Sequence, residues 1–361
     1  MSTRVYTLPV EQTRWHVEGG AETVFTWEYD EGRDRLLNLY EKGKNKQWNS
    51  RDRIDWSIDV DHDNPLEAPE YYVPIYGSDT WERMGERDRH QVVYHLASWQ
   101  FSQFLHGEQG ALICASKIVQ TVPDIDSKFY AATQVMDEAR HVETYSRFLH
   151  EKLDMAYPIN PHLKSLLDNV VSDSRWDMTY LGMQVLIEGL ALAAFGLIRD
   201  VAENPLARAV SAYVMEDEAR HVAFGRLALR DFYPQLSERE RDEREEFCVE
   251  ACYLMRDRFL AHEVWENLGL PVEECLRFVN QSESQVHFRS LLFTRIAPTL
   301  KDIGLFGSRV RSAFADMGVL GYSDVDLDAL IVDDERTAGE IDAGRRAQVD
   351  QTIAAGAAGA A

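Results

Sequence analysis

Two pentapeptides, Asp137-Glu138-Ala139-Arg140-His141 and Asp217-Glu218-Ala219-Arg220-His221, are identical and stand 80 residues apart. Thirty residues before the glutamate of each lies another glutamate, Glu108 in LHGEQGALICA and Glu188 in LIEGLALAAFG. Both of these sit among apolar or small residues. The unit is therefore Glu, thirty residues, Glu-x-x-His, present twice. Pro123 stands midway between Glu108 and Glu138, and Glu203-Asn204-Pro205 stands midway between Glu188 and Glu218. Chain reversal at those points makes each unit an antiparallel helical hairpin that returns its second glutamate to the level of the first. Within Glu-x-x-His, the i, i+3 spacing sets carboxylate and imidazole on one helix face. Two such hairpins packed together aim four carboxylates and two imidazoles into one bundle core.

A single Glu-x-x-His carries little weight, because both residues are common on helix surfaces, and a lone buried glutamate is often a hydrogen-bonded core acid. Repetition of the whole unit at matched distances favours a site. Four buried carboxylates are prohibitively costly unless protonated or neutralised. Two divalent cations bring their charge to zero; carboxylates can bridge two ions, and imidazole suits iron. Glu108, Glu138, His141, Glu188, Glu218 and His221 are thus candidate ligands of a dimetal centre.

The rest of the chain reads as all-α. From residue 81 onward apolar residues recur at three- and four-residue steps, with prolines between long segments. Helices are predicted over 81–120, 125–154, 173–202, 205–232, 237–268 and 284–303, with shorter ones near 272–281 and 306–317, and Pro298 is expected to kink its helix. Residues 1–80 read as an irregular N-terminal arm holding a short charged helix near 32–44 and the weak strand signals. Residues 81–320 read as the helical domain, and 321–361 as an acidic, then Ala/Gly-rich tail, disordered over its last dozen residues.

Composition excludes several classes. Of 361 residues, 45% are hydrophobic and 27% charged, which fits a soluble globular protein and not a fibrous or disordered one. No uninterrupted apolar run of 18 residues occurs and the first residues lack an apolar signal core, so a cytoplasmic protein without a membrane span is expected. The net charge of −23 argues against nucleic acid and anionic membranes as partners. Cys114, Cys248, Cys252 and Cys275 form no CxxC, and no SxxK, GxSxG or phosphate-binding loop competes with the repeat. There is no flavin or iron–sulfur signature either. Electrons for any redox chemistry come from the substrate or from an external donor such as a ferredoxin or a reductase.

On these residues the chain resembles the oxygen-activating branch of the ferritin-like superfamily: bacterial multicomponent monooxygenases, class I ribonucleotide reductase small subunits, acyl-carrier-protein desaturases and arylamine N-oxygenases. The resemblance covers roughly residues 40–300, and the DEARH and Gly107-Glu108 contexts look most like the monooxygenase hydroxylases. It implies a ferritin-like four-helix bundle core with additional helices, and a homodimer. It also implies a cofactor of two iron ions, or iron and manganese, that activates O₂. The reaction implied is oxygen insertion into a small organic substrate, by hydroxylation or amine N-oxygenation. By the same resemblance Glu108, Glu138 and His141 hold one ion and Glu188, Glu218 and His221 the other, with glutamates of the second half often bridging. Asp137 would accept the distal N–H of His221, and Asp217 that of His141, with Arg140 and Arg220 neutralising both aspartates.

Other features discriminate among relatives. Gln47-Trp48-Asn49 and Ile54-Asp55-Trp56-Ser57 look like the arm of the reductase subunits, and Tyr145, four residues after His141, occupies the place of their radical tyrosine. Against a reductase stand Glu108, where that family usually has aspartate, and the lack of any tyrosine after Tyr322. Tyr145 is read as a core aromatic or a redox-active neighbour of the metals. The extra histidine that N-oxygenases carry one turn before their last Glu-x-x-His is Val214 here, and the monooxygenase threonine is Leu192. Gly107, Gly110, Ala111, Gly189, Ala193, Gly196 and Gly225 either allow close helix packing or leave a cavity for oxygen and an apolar substrate. Met183, Leu192, Phe195 and Phe224 would line that cavity. The alternatives are a reductase-like radical protein, an acyl desaturase, and a non-catalytic iron-binding protein. Iron storage fits poorly, since the chain is about twice the length a storage bundle needs.

Overall fold

The structure, a computed structural model, describes the backbone of residues 5–6, 15–26, 28–29 and 32–359, and side chains from 15 to 347 within those ranges. Its α-helices of seven residues or more are α1 (Asp34–Asn45), α2 (Glu86–Thr121), α3 (Ile125–Phe148), α4 (Pro161–Ser172), α5 (Trp176–Val201), α6 (Pro205–Phe232) and α7 (Glu238–Asp257). These are followed by α8 (Val272–Gln281), α9 (Glu283–Leu291), α10 (Ile296–Asp302), α11 (Ser308–Asp316) and α12 (Leu327–Gly359). The one sheet among the described residues is a two-residue parallel pairing of Val5–Tyr6 with Met155–Ala156. The second of those strands falls outside the arm where strand signals were expected.

Helices α2, α3, α5 and α6 are the bundle. α2 packs along α3 and α5 along α6, as two antiparallel hairpins. Both reversals are fixed by capping at the expected places. Asp124 accepts the backbone N–H of Ser127 to start α3. Asn204 accepts those of Leu206 and Ala207 to start α6, with Pro205 in the first turn, where no N–H is needed. Each cap contributes about 1 kcal/mol. α5 is long and apolar enough to cross a membrane, with mean hydropathy 1.9, but 89% of that apolar window is buried inside the protein. It is the central rod of the core.

Three differences from the periodicity reading have local causes. Pro161 starts a helix instead of separating two, because Asn160 caps the N–H groups of His162 and Leu163. Pro298 kinks nothing: the chain breaks earlier, between Leu291 and Ile296, and Pro298 sits harmlessly in the first turn of α10. The stretch expected as one helix over 237–268 breaks after Asp257 into a 3₁₀ turn, Arg258–Leu260, and Ala261 adopts φ +52°.

The arm and the C-terminal segment pack on the bundle. α1 lies on α3 and α6, and α12 lies on α6. Asp334 on α12 accepts from Arg295 at 2.7 Å, and Asp342 accepts from Arg53 at 2.8 Å and from the hydroxyl of Tyr213 at 2.8 Å. The last dozen residues fall among positions whose side chains lie outside the described set.

Candidate dimetal centre

The four bundle helices each deliver what the repeat predicts. Glu108 comes from α2, Glu138 and His141 from α3, Glu188 from α5, and Glu218 and His221 from α6; all six are buried. Ligand atoms of Glu108, Glu138, His141 and Glu218 lie within 4.8 Å of one another, and so do those of Glu138, Glu188, Glu218 and His221. Glu138 and Glu218 belong to both groups. The shared pair is thus one glutamate from each half, where the resemblance pointed to the second half. The Nδ1 atom of His141 is 2.9 Å from Glu218 Oε1, and Nδ1 of His221 is 3.0 Å from Glu138 Oε1.

The aspartates pair across the bundle in the arrangement that the resemblance implied. His141 Nε2 pairs with Asp217 at 3.0 Å and His221 Nε2 with Asp137 at 3.2 Å. An N–H placed on Nε2 leaves Nδ1 of each ring as a lone pair facing the carboxylates. Arg140 donates to both aspartates, at 2.5 and 2.7 Å, and Arg220 donates to Asp217. Two aspartates and two arginines leave this outer layer neutral. The arm seals it: Gln47 donates to Asp137 at 2.7 Å and Trp48 to Asp217 at 2.7 Å.

The inner layer, by contrast, is incompletely satisfied. Glu138 Oε2, Glu188 Oε2 and Glu218 Oε2 are buried without a hydrogen-bond partner among the described residues. Each such atom costs roughly 1–3 kcal/mol. Burial, reinforced by the charge of Glu218, pushes the carboxyls of Glu108 and Glu188 well above the usual range. Burial alone would discharge the imidazoles, yet the carboxylates around them push both well above theirs. Protein groups alone therefore do not sustain four ionised carboxylates here, whereas two divalent cations match the orphaned atoms in position and the carboxylates in charge. The residues present fit a dimetal cofactor.

Two features were invisible to the repeat. A π-helical segment, Leu181–Ile187, immediately precedes Glu188 within α5. Gln134, one turn before Glu138, donates at 3.0 Å to both Glu138 and Glu188, and Gln184 donates to Gln134 at 3.4 Å. The only sequence signal for Gln134 is its polarity at a helix position four residues from a ligand.

A cavity of about 20 Å³ abuts Glu108, Glu188 and Glu218, walled by Phe104, Gly107, Ala111, Met183 and Phe195 among others. That is room for about one water. Four expected lining residues are elsewhere. Phe224 packs against Tyr130 in a tilted pair, with ring centroids 4.2 Å apart; Gly225 backs onto Gln184 and Gly196 onto Met215; Leu192 is packed in the core. Their positions on α5 and α6 face neighbouring helices and not the gap beside Glu108. Tyr145 is fully buried against Phe101, Phe104 and Phe195, and its hydroxyl has no partner among the described residues.

Comparison with known proteins agrees with this geometry. The family described as p-aminobenzoate N-oxygenase AurF matches residues 30–304, which include all six candidate ligands. The chain belongs to the AurF family. A point mutant of an R2-like ligand-binding oxidase, with an aerobically reconstituted Mn/Fe cofactor, superposes with a TM-score of 0.50 at 16% identity, covering 78% of this chain and 100% of that one. Another point mutant of such an oxidase, with the Mn/Fe cofactor reconstituted anaerobically, gives 0.49 at 17% identity over the same shares. At that identity the likeness concerns the fold, which is all-α and ferritin-like. No curated protein matches. As a member of the AurF family the chain is an oxidoreductase, a di-iron oxygenase acting on an organic substrate.

Proposed function

We propose that this oxygenase N-oxygenates an aromatic amine, of which p-aminobenzoate is the family's named example. The observation that carries the reading is the family match over residues 30–304, with the complete ligand set inside it. The balanced reaction is ArNH₂ + O₂ + 2e⁻ + 2H⁺ → ArNHOH + H₂O, with the two electrons drawn from an external donor such as a ferredoxin or a reductase. We take the cofactor as two iron ions, or iron and manganese as in the solved oxidases, held by Glu108, Glu138, His141, Glu188, Glu218 and His221. Bound there, it supplies reduction of dioxygen. The chain's own residues do the rest. Asp137 and Asp217 hold the histidine N–H groups and so fix both rings. Gln134 ties Glu138 to Glu188. Phe104, Met183 and Phe195 keep bulk water from the cavity. The expected setting is a cytoplasmic homodimer.

One observation favours a second reading, carbon hydroxylation. Val214 is apolar and fully buried where the resemblance leads to an additional histidine ligand. The test is direct: iron-loaded protein is incubated with a chemical reductant, ¹⁸O₂ and 4-aminobenzoate, and products are read by mass spectrometry. The hydroxylamine or its nitroso and nitro successors, carrying ¹⁸O on nitrogen, are expected. Oxygen found only on carbon would hand the assignment to hydroxylation.

A further inference from the structure

The helix break after Asp257 places a buried cation beside the metal-facing cavity. Arg258 is 5% exposed and lines the same cavity as Glu108, Glu188 and Glu218. It makes no hydrogen bond or ion pair among the described residues, and its Nε is buried without a partner. The other buried arginines differ: Arg140, Arg199, Arg220, Arg244, Arg289 and Arg295 each donate to a carboxylate, amide or carbonyl oxygen. The acid whose charge acts on Arg258 is Glu263 and none of the four metal glutamates. Glu263 itself is engaged, accepting from Trp99 at 3.2 Å and from Asn160 at 2.6 Å. With two divalent cations the glutamates are neutral as a set, and the Asp137–Asp217–Arg140–Arg220 layer is neutral already. The charge of Arg258 is left over.

Apolar space adjoins it. A second cavity of about 390 Å³ is walled by Tyr72, Leu96, Trp99, Leu197, Phe259 and Phe288 among others. The two cavities follow one groove between α2 and α5. Gln100 lines the outer one and Gln103 and Gly107 the inner, on one stripe of α2; Ile198 lines the outer and Ala191 and Phe195 the inner, on one stripe of α5. Arg258 lines the inner cavity and its chain neighbour Phe259 the outer one. At 390 Å³ the outer chamber is within the range of small-molecule sites.

We propose that Arg258 is the anion anchor of this cavity: it holds the carboxylate of the substrate in a bidentate pair, so that the group to be oxidised points at the metals and an apolar body fills the space between. The assignment rests on reading the dimetal cavity as an oxygenase site, not on nitrogen being the atom oxidised. A guanidinium matches a carboxylate with two parallel N–H···O bonds, and in a dry site the pair is strong. It also explains why a cation whose one recorded contact is the Phe259 ring, 5.2 Å from the guanidinium carbon, persists in a core, since burying a charge is unfavourable unless a ligand completes it. The inner cavity admits a ring only when Phe104, Met183 or Phe195 turns aside, and the outer chamber supplies the approach.

The experiment is calorimetric titration under anaerobic conditions of the Mn(II)-loaded protein with two matched pairs, benzoate against benzamide and 4-aminobenzoate against 4-aminobenzamide. The parent is expected to prefer each carboxylate tenfold or more. Arg258→Met should erase that preference by weakening the acids and leaving the amides unchanged. Arg258→Lys, which keeps the charge, should retain it in part. Arg258→Met should also melt no lower than the parent, because an uncompensated buried charge has gone. A preference that survives Arg258→Met would mean the carboxylate sits on the metals and would overturn the proposal. So would a parent that binds acid and amide alike, or an Arg258→Met variant that melts lower and loses the amides too. Benzoate has no amine, so these outcomes do not depend on N-oxygenation. Failure to oxidise 4-aminobenzoate alongside an intact acid preference would sink the reaction and spare the anchor.

Discussion

The two halves of the bundle carry the same three-ligand pattern in opposite surroundings. Adding 80 to a residue number moves from one half to its counterpart. Glu108, Glu138 and His141 map onto Glu188, Glu218 and His221, but Gln134 maps onto Val214 and Tyr145 onto Gly225. Phe104 maps onto Gln184. On the Glu188 side, Gln134 and Gln184 form a hydrogen-bonded lid over the carboxylates, and Gly225 makes room for it. On the Glu108 side, Phe104 and Phe195 wall the cavity, and Tyr145 packs against both rings. Duplication supplies a symmetric cation site; chemistry with a substrate needs one side closed and one side approachable. The divergence lies in residues that touch the ligands and not in the ligands themselves.

The largest effects should follow the symmetry. Glu138 and Glu218 belong to both ligand groups, whereas Glu108 and Glu188 belong to one each. Glu138→Ala and Glu218→Ala are therefore expected to leave less than one ion per chain after anaerobic Fe(II) loading, measured by elemental analysis, with helix content by circular dichroism unchanged. Glu108→Ala and Glu188→Ala should each retain about one ion. One ion kept in each of the four variants would show that the two metals are held separately by the halves. Next in size is the outer layer. Asp217 takes His141, Trp48, Arg140 and Arg220, while Asp137 takes His221, Gln47 and Arg140. Asp217→Asn is expected to weaken metal affinity about 10–100-fold, and Asp137→Asn somewhat less. Competitive chelator titration measures both.

What the sequence revealed, and what it hid, follows the same division. The ligands were legible because their chemistry demands both a residue type and a period, and the repeat displays each twice. The crossed Asp–His pairs came from the family resemblance, with the repetition of the aspartates in their support. Gln134 was not, because an amide one turn from a ligand looks like any helix-surface glutamine until α5 is packed against it. Leu192, Gly196, Phe224 and Gly225 shared the small or apolar character of true lining residues, but helix phase turned them toward Met215, Tyr130 and Gln184. Arg258 was hidden by a helix break: apolar periodicity runs through 237–268, and only the left-handed backbone at Ala261 shows where it stops. Breaks of this kind depend on tertiary contacts, which no local pattern encodes.

The closed side can be pried open at Gly225. A Cβ there would meet Cβ of Gln184 at 2.6 Å, a carbon that cannot swing away without its backbone. Gly225→Ala is expected to destabilise the protein by about 1–3 kcal/mol, as overpacking of a core does, read from the denaturant midpoint. It should also displace Gln184 from Gln134. At Gly107, the counterpart of Ile187 just before the other lone glutamate, a Cβ meets nothing within 4 Å, so Gly107→Ala is expected to be neutral or slightly stabilising through its helix preference. Equal effects at the two glycines would remove the contrast between a closed and an open side.

The smallest effect is expected at Tyr145, on the open side. Burial, with the charges of Glu108 and Glu218 adding to it, pushes its phenol well above the ordinary range. The hydroxyl has no hydrogen-bond partner among the described residues. A tyrosine that stores a radical must release its proton when it is oxidised, and nothing bonded to this oxygen receives one. Tyr145→Phe therefore removes an unsatisfied polar atom and keeps the ring contacts with Phe101, Phe104 and Phe195. Stability should be unchanged or higher by up to about 1 kcal/mol, and the metal content should match the parent. After Fe(II) loading and exposure to air, electron paramagnetic resonance of the parent is expected to show no long-lived tyrosyl signal. A stable signal that disappears in Tyr145→Phe would place a radical store on the very side assigned here to substrate, and would favour the reductase-like alternative over the oxygenase.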